Sequence, residues 1–319
     1  MRDRGTGAVA SVGLVVVTWN GMDTSRRCIR SLLESDYPGS RICLIDNGSP
    51  DDIAGPLSRE FPQIDTVQLP RNLGYAGGCN AGLKWATEQG LDYALLLNDD
   101  ATADPSMVGA LVKRAEALQG DAVVAPKILV SGEPNIIWSA GGRLRRPWFK
   151  ADHLDVEANA EHAREVEWAS GCALLVPLSL LSRFGLMDER YFMYLEDVDW
   201  CLRMRHTAVP IWYEPSARLW HDVSASVGRL DRRAVRYYSY RNHYLLAFKH
   251  SGPIGRAWFA LHFAVTSAKI AFRCAFFSSY RRNPWYHART RAMADFVRRR
   301  FGRAPYHDNS VGTSTRGVA

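Results

Sequence analysis

Tyr93-Ala94-Leu95-Leu96-Leu97-Asn98-Asp99-Asp100 is the stretch on which the fold turns. An apolar run this short suits a strand buried on both faces, not a membrane span or a long helix. It ends abruptly in an amide and two carboxylates. In an open parallel sheet, ligands bind just beyond the carboxyl ends of the strands. Capping the next helix would use one such side chain; two adjacent carboxylates exceed that need. Hard oxygen ligands at a rigid strand end suit Mg²⁺ or Mn²⁺, although Asp-Asp also occurs in turns.

The sequence on either side supports the strand. Val12–Thr18, Arg41–Asp46, Thr66–Leu69 and Ala122–Ala125 read as further strands. Between them, Met22–Ser35, Ile53–Phe61, Gly77–Gln89 and Pro105–Leu118 read as helices. Such alternation predicts an α/β fold with a mostly parallel sheet covered on both faces. Thr18-Trp19-Asn20 ends the first strand and Asp46-Asn47 the second, so three strands deliver polar groups to one crevice. Asp46 alone could equally cap a helix. Asn72-Leu73-Gly74-Tyr75-Ala76-Gly77-Gly78-Cys79-Asn80 offers glycines for close backbone approach to a ligand at a helix start. It fits neither GxGxxG nor a P-loop.

Residues 127–166 lack clean periodicity and read as loops and short hairpins over the sheet, a common form for lids. Order returns with Trp168–Val176 as a strand, Leu178–Phe184 as a short helix and Glu196–Arg205 as a helix. Ile211–Tyr213 and Ala217–Trp220 read as short strands, and the pattern is helical from Arg232 onward. On the helix starting Glu196-Asp197-Val198-Asp199, Glu196, Asp199 and Arg203 share one face. Asp199 and Arg203 can pair at i, i+4. Asp197 points about 100° from Glu196 and is free to face a cleft. A solvated acidic helix start would account for the same residues. His221 by itself is more often structural; beside a metal it becomes a candidate ligand.

The 319 residues carry a net charge of +7, and 47% are hydrophobic. This composition argues for a folded globular protein and against disorder. The six cysteines form no CxxC pair and sit mostly in apolar surroundings, as expected of reduced, buried thiols in a cytosolic protein. Met1–Ser11 is polar and Gly-rich, and Val12–Val17 is too short for export or spanning. From Arg241 onward, 14 Lys/Arg face 2 Asp/Glu. That asymmetry predicts a basic region meeting an anionic surface.

Together these motifs closely resemble the large inverting glycosyltransferase family numbered two, with its Rossmann-like GT-A fold. The matching segments are Val15–Gly21, Leu44–Ser49, Arg71–Asn80, Leu96–Asp100, Gly171–Val176 and Tyr194–Arg203. The resemblance extends from Val12 to Ser226 and is nearest the rhamnosyltransferase-like branch. That branch often has Asn-Pro-Asp where this chain has Asn98-Asp99-Asp100. Asp100 is therefore the expected metal ligand, and the role of Asp99 is less defined. The resemblance implies that Thr18, Asn20 and Asp46 border the nucleoside and that Asn72, Gly77 and Asn80 lie near the donor. It further implies Asp99 at ribose or a metal-bound water, Asp100 and His221 on Mg²⁺ or Mn²⁺, and Asp197 as general base. Glu196 and Asp199 are the other carboxylates considered for catalysis.

The expected organisation is a catalytic domain over 12–228, with its nucleotide half to 126 and acceptor half beyond. A helical basic region over 229–303 and a disordered tail over 304–319 complete it. The expected reaction moves a sugar, rhamnose from dTDP-rhamnose first, to a cell-surface glycan or polyprenyl-linked acceptor. UDP-galactofuranose, UDP-hexose or GDP-mannose are alternative donors. Trp258–Phe277 is apolar but interrupted by a stripe of His262, Lys269 and Arg273, which suits an interfacial helix better than a spanning one. Packing on the core would account for it too. Arg281-Arg282 and Arg298-Arg299-Arg300 suit anionic lipid, so peripheral attachment at the inner face of the cell membrane is expected. No nucleic-acid module is visible. A sugar-1-phosphate nucleotidyltransferase would want a Gly-rich, Arg-containing loop after the first strand, where Trp19-Asn20-Gly21 stands. A non-catalytic nucleotide or membrane-surface binder would not need Asp100, Asp197 and His221 intact.

Overall fold

A computed structural model describes residues 9–146, 148–154, 160–222, 231–304 and 306. The nucleotide half comprises β1 (Val12–Thr18), α1 (Met22–Leu33), β2 (Ser40–Asp46), α2 (Ala54–Glu60), β3 (Asp65–Gln68), α3 (Gly74–Glu88) and β4 (Tyr93–Asn98). Next come β5 (Ala101–Ala103), α4 (Met107–Ala117), β6 (Val123–Val130), β7 (Glu133–Ser139), β8 (Gly142–Arg145), β9 (Lys150–His153), β10 (Arg164–Val166) and β11 (Ala173–Pro177). After α5 (Leu181–Phe184), α6 (Glu196–His206) and β12 (Ile211–His221), four helices close the chain. These are α7 (Arg232–His250), α8 (Pro253–Phe276), α9 (Ser278–Arg282) and α10 (Pro284–Val297).

The main sheet runs β10-β12-β6-β11-β4-β1-β2-β3, with β5 on β12 and β7 on β6. Strands β4, β1, β2 and β3 are mutually parallel, as are β6 and β12. Strand β11 runs antiparallel between β4 and β6. Every residue of β1 is buried, because helices cover both faces. The two-residue strand period splits the core accordingly. Val15, Val17, Ile45 and Leu96 pack with α3 and α6, while Leu14, Val16, Leu44 and Leu97 pack with α1 and α4.

Three local readings change. Ile211–Tyr213 and Ala217–Trp220 are parts of one strand, β12, whose pairing with β6 shifts between Glu214 and Arg218. The shift falls where Pro126, paired with Glu214, has no N–H to give. Residues 127–130 therefore extend β6, and Asp100 is followed at once by the unforeseen β5. Finally, two glycines of α3, Gly78 and Gly82, pack closely on β1. A Cβ at Gly82 would lie 2.1 Å from Val15 Cγ1 and one at Gly78 2.5 Å from Val17 Cγ1, so glycine lets α3 settle onto β1.

The C-terminal helices are joined to this core. Asp231 caps α7 and Asn283 caps α10, followed by Pro284 in the first turn. Leu245, Leu246 and Ala247 of α7 enter the core beneath α6. The predicted boundary at 228/229 lies outside the described residues, as does nearly all of the predicted tail. Ala304, assigned to that tail, is instead docked: it is buried and its N–H donates to Tyr238 Oη at 2.6 Å.

Candidate active site

The ends of β1, β2 and β4 open on one crevice, and their polar residues are tied together. Thr18 Oγ1 and Thr24 Oγ1 donate to Asp99 Oδ2 at 2.8 and 3.0 Å. Asp46 is fully buried; one oxygen accepts from Ser49 N at 3.0 Å, and Oδ2 has no hydrogen-bond partner among the described residues. An unmet buried carboxylate oxygen calls for a donor from outside the chain. Asn20 takes a positive φ of 56° beside it and donates its N–H to Ser49 Oγ. Asn72 Oδ1 accepts from Gly74 N at 2.8 Å, shaping the start of α3, on which Gly77 lies. Asn80 sits deeper, its amide spent on Met187 O, Met187 N and Glu189. It latches α3 to the loop before α6.

Asp100 and His221 meet although 121 positions separate them, because β5 pairs with the end of β12. Both are buried, with His221 Nε2 3.1 Å from Asp100 Oδ1. Neither ring nitrogen of His221 has an aligned hydrogen-bond partner among the described residues. An imidazole nitrogen and a carboxylate oxygen facing one point form a two-ligand corner for a divalent cation, with remaining positions left to ligand oxygens or water. Among the described residues, no three His, Cys, Asp or Glu side chains form a closed cage. A cavity of about 290 Å³ adjoins the corner and is lined by Thr24, Arg27, Asp100, Ser131 and Asp222 among others. Arg27 and Asp222, unnoticed in the sequence, stand 3.7 Å apart there.

Asp197 is half-buried at the first turn of α6. Its oxygens accept from Gly171 N at 2.9 Å and Val198 N at 2.8 Å. Burial pushes its carboxyl above the ordinary Asp value, against those backbone hydrogen bonds. Cys172 follows Gly171 at the start of β11, and its buried thiol feels the charges of both Asp100 and Asp197. Asp100 and Asp197 therefore both lie within electrostatic reach of the residue that precedes β11. A row of rings links them: Trp168, His153, Trp138 and His221 stand 4.8, 4.6 and 4.7 Å apart in sequence. Sequence reading missed Trp138 and His153, since residues 127–166 show no period to place them.

Glu196 and Asp199, considered for catalysis with Asp197, have other surroundings. Glu196 is buried, and one oxygen has no hydrogen-bond partner among the described residues. Burial first, then the neighbouring Asp197, push its carboxyl well above the ordinary Glu value. It is not paired with Arg203. Asp199 has no exposure; its oxygens take Arg203 Nε at 3.0 Å, Lys249 Nζ at 2.8 Å, His250 Nε2 at 2.8 Å and Tyr191 Oη at 3.1 Å. Burial opposes its charge, but His250, Lys249 and Arg203 overcome that and hold it below the ordinary range. With every lone pair facing a protein donor, Asp199 has none to offer an acceptor hydroxyl.

Comparison with known proteins agrees with this architecture. Residues 14–162 match the family described as Glycosyl transferase family 2. The chain is 27% identical, over 75% of its length and 85% of the relative's, to an N-acetylglucosaminyl-diphospho-decaprenol L-rhamnosyltransferase of Mycobacterium tuberculosis. A mannosyltransferase from Pyrobaculum calidifontis, solved with GDP-Man and Mn²⁺, superposes with a TM-score of 0.54 at 14% identity, covering 91% of this chain and 88% of that one. GalNAc-T7, solved with UDP, GalNAc and Mn²⁺, gives 0.58 at 16% identity over 67% of this chain, which spans 43% of that longer protein. A GT-A architecture and a match to the glycosyl transferase family 2 model over residues 14–162 thus converge on one chain, which is a glycosyltransferase similar to members of that family.

Proposed function

We propose that the chain carries out a metal-dependent, inverting transfer of a sugar from a nucleotide diphosphate donor to a hydroxyl of a glycan or polyprenyl-linked acceptor. The carrying observation is the buried Asp100–His221 pair, with Asp100 and Asp197 both within electrostatic reach of Cys172. In this reading, Asp100 and His221 hold Mg²⁺ or Mn²⁺, which neutralises charge on the leaving diphosphate. Thr18, Asn20 and Asp46 border the nucleoside, with the unmet Asp46 oxygen accepting from the base. Thr18 and Thr24 orient Asp99 toward the ribose side. Asn72, Gly77 and Asn80 shape the floor beneath the donor.

Asp197 accepts the acceptor hydroxyl's proton as the oxygen attacks the anomeric carbon from the face opposite the diphosphate. A raised carboxyl pKa makes it a better base than a solvated Asp. No covalent enzyme intermediate is required, so configuration inverts.

The rhamnosyltransferase relative makes dTDP-rhamnose the first donor to test and a lipid-linked glycan the first acceptor. A panel of dTDP-, UDP- and GDP-sugars, read by mass spectrometry of the transferred product, tests the donor. Turnover of dTDP-rhamnose alone supports the reading; turnover of another donor with dTDP-rhamnose inert overturns it.

The C-terminal helices support attachment to an anionic membrane surface. Helix α8 is long and apolar enough by composition to cross a membrane, and only Ile270 of it is buried. It carries exposed Ile254, Leu261, Phe272 and Phe276, with Lys269 and Arg273 among them. Trp148 of the β8–β9 turn packs on Trp258 and His262. Helix α10 packs along α7, with Tyr237 Oη donating to Asp295 at 2.9 Å, and its Phe296 meets Phe259 and Phe263 of α8. A spanning α8 would carry Lys269 and Arg273 into lipid, at high cost. Helix α8 instead suits the interface, apolar side chains inward and basic ones at the headgroups. High salt or alkaline carbonate should release the enzyme from vesicles; retention through both would mean an integral anchor.

A further inference from the structure

The loop leading into α6 carries Asp197 in a conformation that side chains with a Cβ avoid. Phe192, Tyr194 and Leu195 have φ of 66°, 67° and 68°, and none is glycine. Such backbone persists only where the surroundings over-determine it. Here they do so through two side chains of α7, Arg241 and Asn242, both without exposure. Asn242 Nδ2 donates to Tyr191 O, Met193 O and Tyr194 O at 2.9, 2.7 and 2.8 Å. Arg241 Nη2 donates to Arg190 O and Tyr191 O at 3.0 and 2.9 Å, and Nη1 donates to Gly302 O at 2.6 Å. Arg241 Nε donates to Asn242 Oδ1 at 3.0 Å, locking the pair.

Burying a guanidinium among carbonyls instead of carboxylates is costly for stability alone. Among the described residues no acid pairs with Arg241; it lies over the rings of Tyr237 and Tyr238 at 5.2 and 5.1 Å. Its donors, with those of Asn242, satisfy four carbonyls of the strained loop. The other side of the loop touches the donor side of the crevice: Phe192 O accepts from Ala76 N at 3.3 Å at the start of α3.

We infer that Arg241 and Asn242 are positioning residues for the transfer step, holding residues 190–195 strained so that Asp197 stands at the crevice. The inference rests on the reading of Asp197 as the base. Asn242→Asp keeps the shape and removes the donors; Asn242→Ala removes both. With full-length enzyme, each variant should lower kcat about 10- to 100-fold, with donor KM within about threefold, because small misplacement of a reacting group is this expensive. The discriminating measurement is the double variant with Asp197→Asn. Once the base is absent its placement has no value, so adding Asn242→Asp to Asp197→Asn should leave kcat within about twofold of Asp197→Asn alone. Multiplication of the two losses would overturn the inference while leaving the base assignment intact. Loss of the fold in both Asn242 variants, seen by circular dichroism, would assign the pair to overall stability and overturn it as well. Wild-type-like kcat in Asp197→Asn would instead defeat the base assignment on which the inference rests.

Discussion

Two residues apart on α6, Asp197 and Asp199 face opposite regions of the molecule. Asp197 looks into the crevice, held by two backbone N–H groups and pushed above its ordinary pKa by burial. Asp199 looks toward α7, where a hydrogen bond from His250 and the charge of Lys249, with Arg203 of α6, hold it below; Tyr191 Oη donates to it as well. One motif, Glu-Asp-Val-Asp, thus supplies one carboxylate whose pKa burial raises and one whose charge its partners stabilise. What separates them is the company that the fold brings: residue 171 on one side, residues 249 and 250 on the other. Reactivity here belongs to placement, not residue type.

The comparison can be broken most severely at the metal corner. If the crevice is where chemistry occurs, excess chelator should abolish transfer and Mn²⁺ or Mg²⁺ restore it. His221→Ala should cost about three orders of magnitude, since such a cation supplies several kcal/mol of charge stabilisation. A rate unchanged in chelator would leave Asp197 facing a crevice without this function.

The other face is tested by stability. Asp199→Asn removes the buried carboxylate that Arg203, Lys249 and His250 share, although Lys249 keeps Asp188, and breaking a buried pair costs about 3 kcal/mol or more. This is well beyond the 0.3–0.5 kcal/mol or so of the i, i+4 pair with Arg203 alone. Because the folded protein holds Asp199 below its ordinary value, its contribution is complete above about pH 4 and fades as pH falls further. The stability gap between wild type and Asp199→Asn, measured by urea unfolding, should therefore be full at pH 7 and shrink toward pH 3. A gap independent of pH would remove the ion network from the explanation.

The smallest effect sharpens the boundary between the faces. Glu196, raised well above its ordinary value by burial, favours the neutral acid more than a solvated Glu does. Glu196→Gln mimics that acid and should keep kcat within about threefold. A loss comparable to that expected at Asp197 would mean that Glu196 is ionised and takes part.

The nucleotide half was largely legible because short apolar strands and amphipathic helices alternate with sharp polar stops. Asp100 and His221 were nameable separately; the pairing of β5 with β12, which joins them, was not, since β5 is three residues long. The α3 glycines were ambiguous, because a ligand and a packed strand both favour a missing Cβ; Gly78 and Gly82 meet the strand. Arg241, Asn242, Lys249 and His250 gave no local signal, for a basic helix looks solvated until its partners, some 50 positions away, are known. The positive φ angles at Phe192, Tyr194 and Leu195 are tertiary in origin, and no propensity would suggest them.

The most direct test is the single-turnover rate of Asp197→Asn with saturating donor, beside the donor's dissociation constant. The expected result is a rate about 10²–10⁴ below wild type, with donor affinity within threefold, because metal corner and nucleoside groups lie on other strands. If Asp197→Asn keeps most of the wild-type rate while folded Asp199→Asn loses it, the two faces of α6 have been assigned the wrong way round.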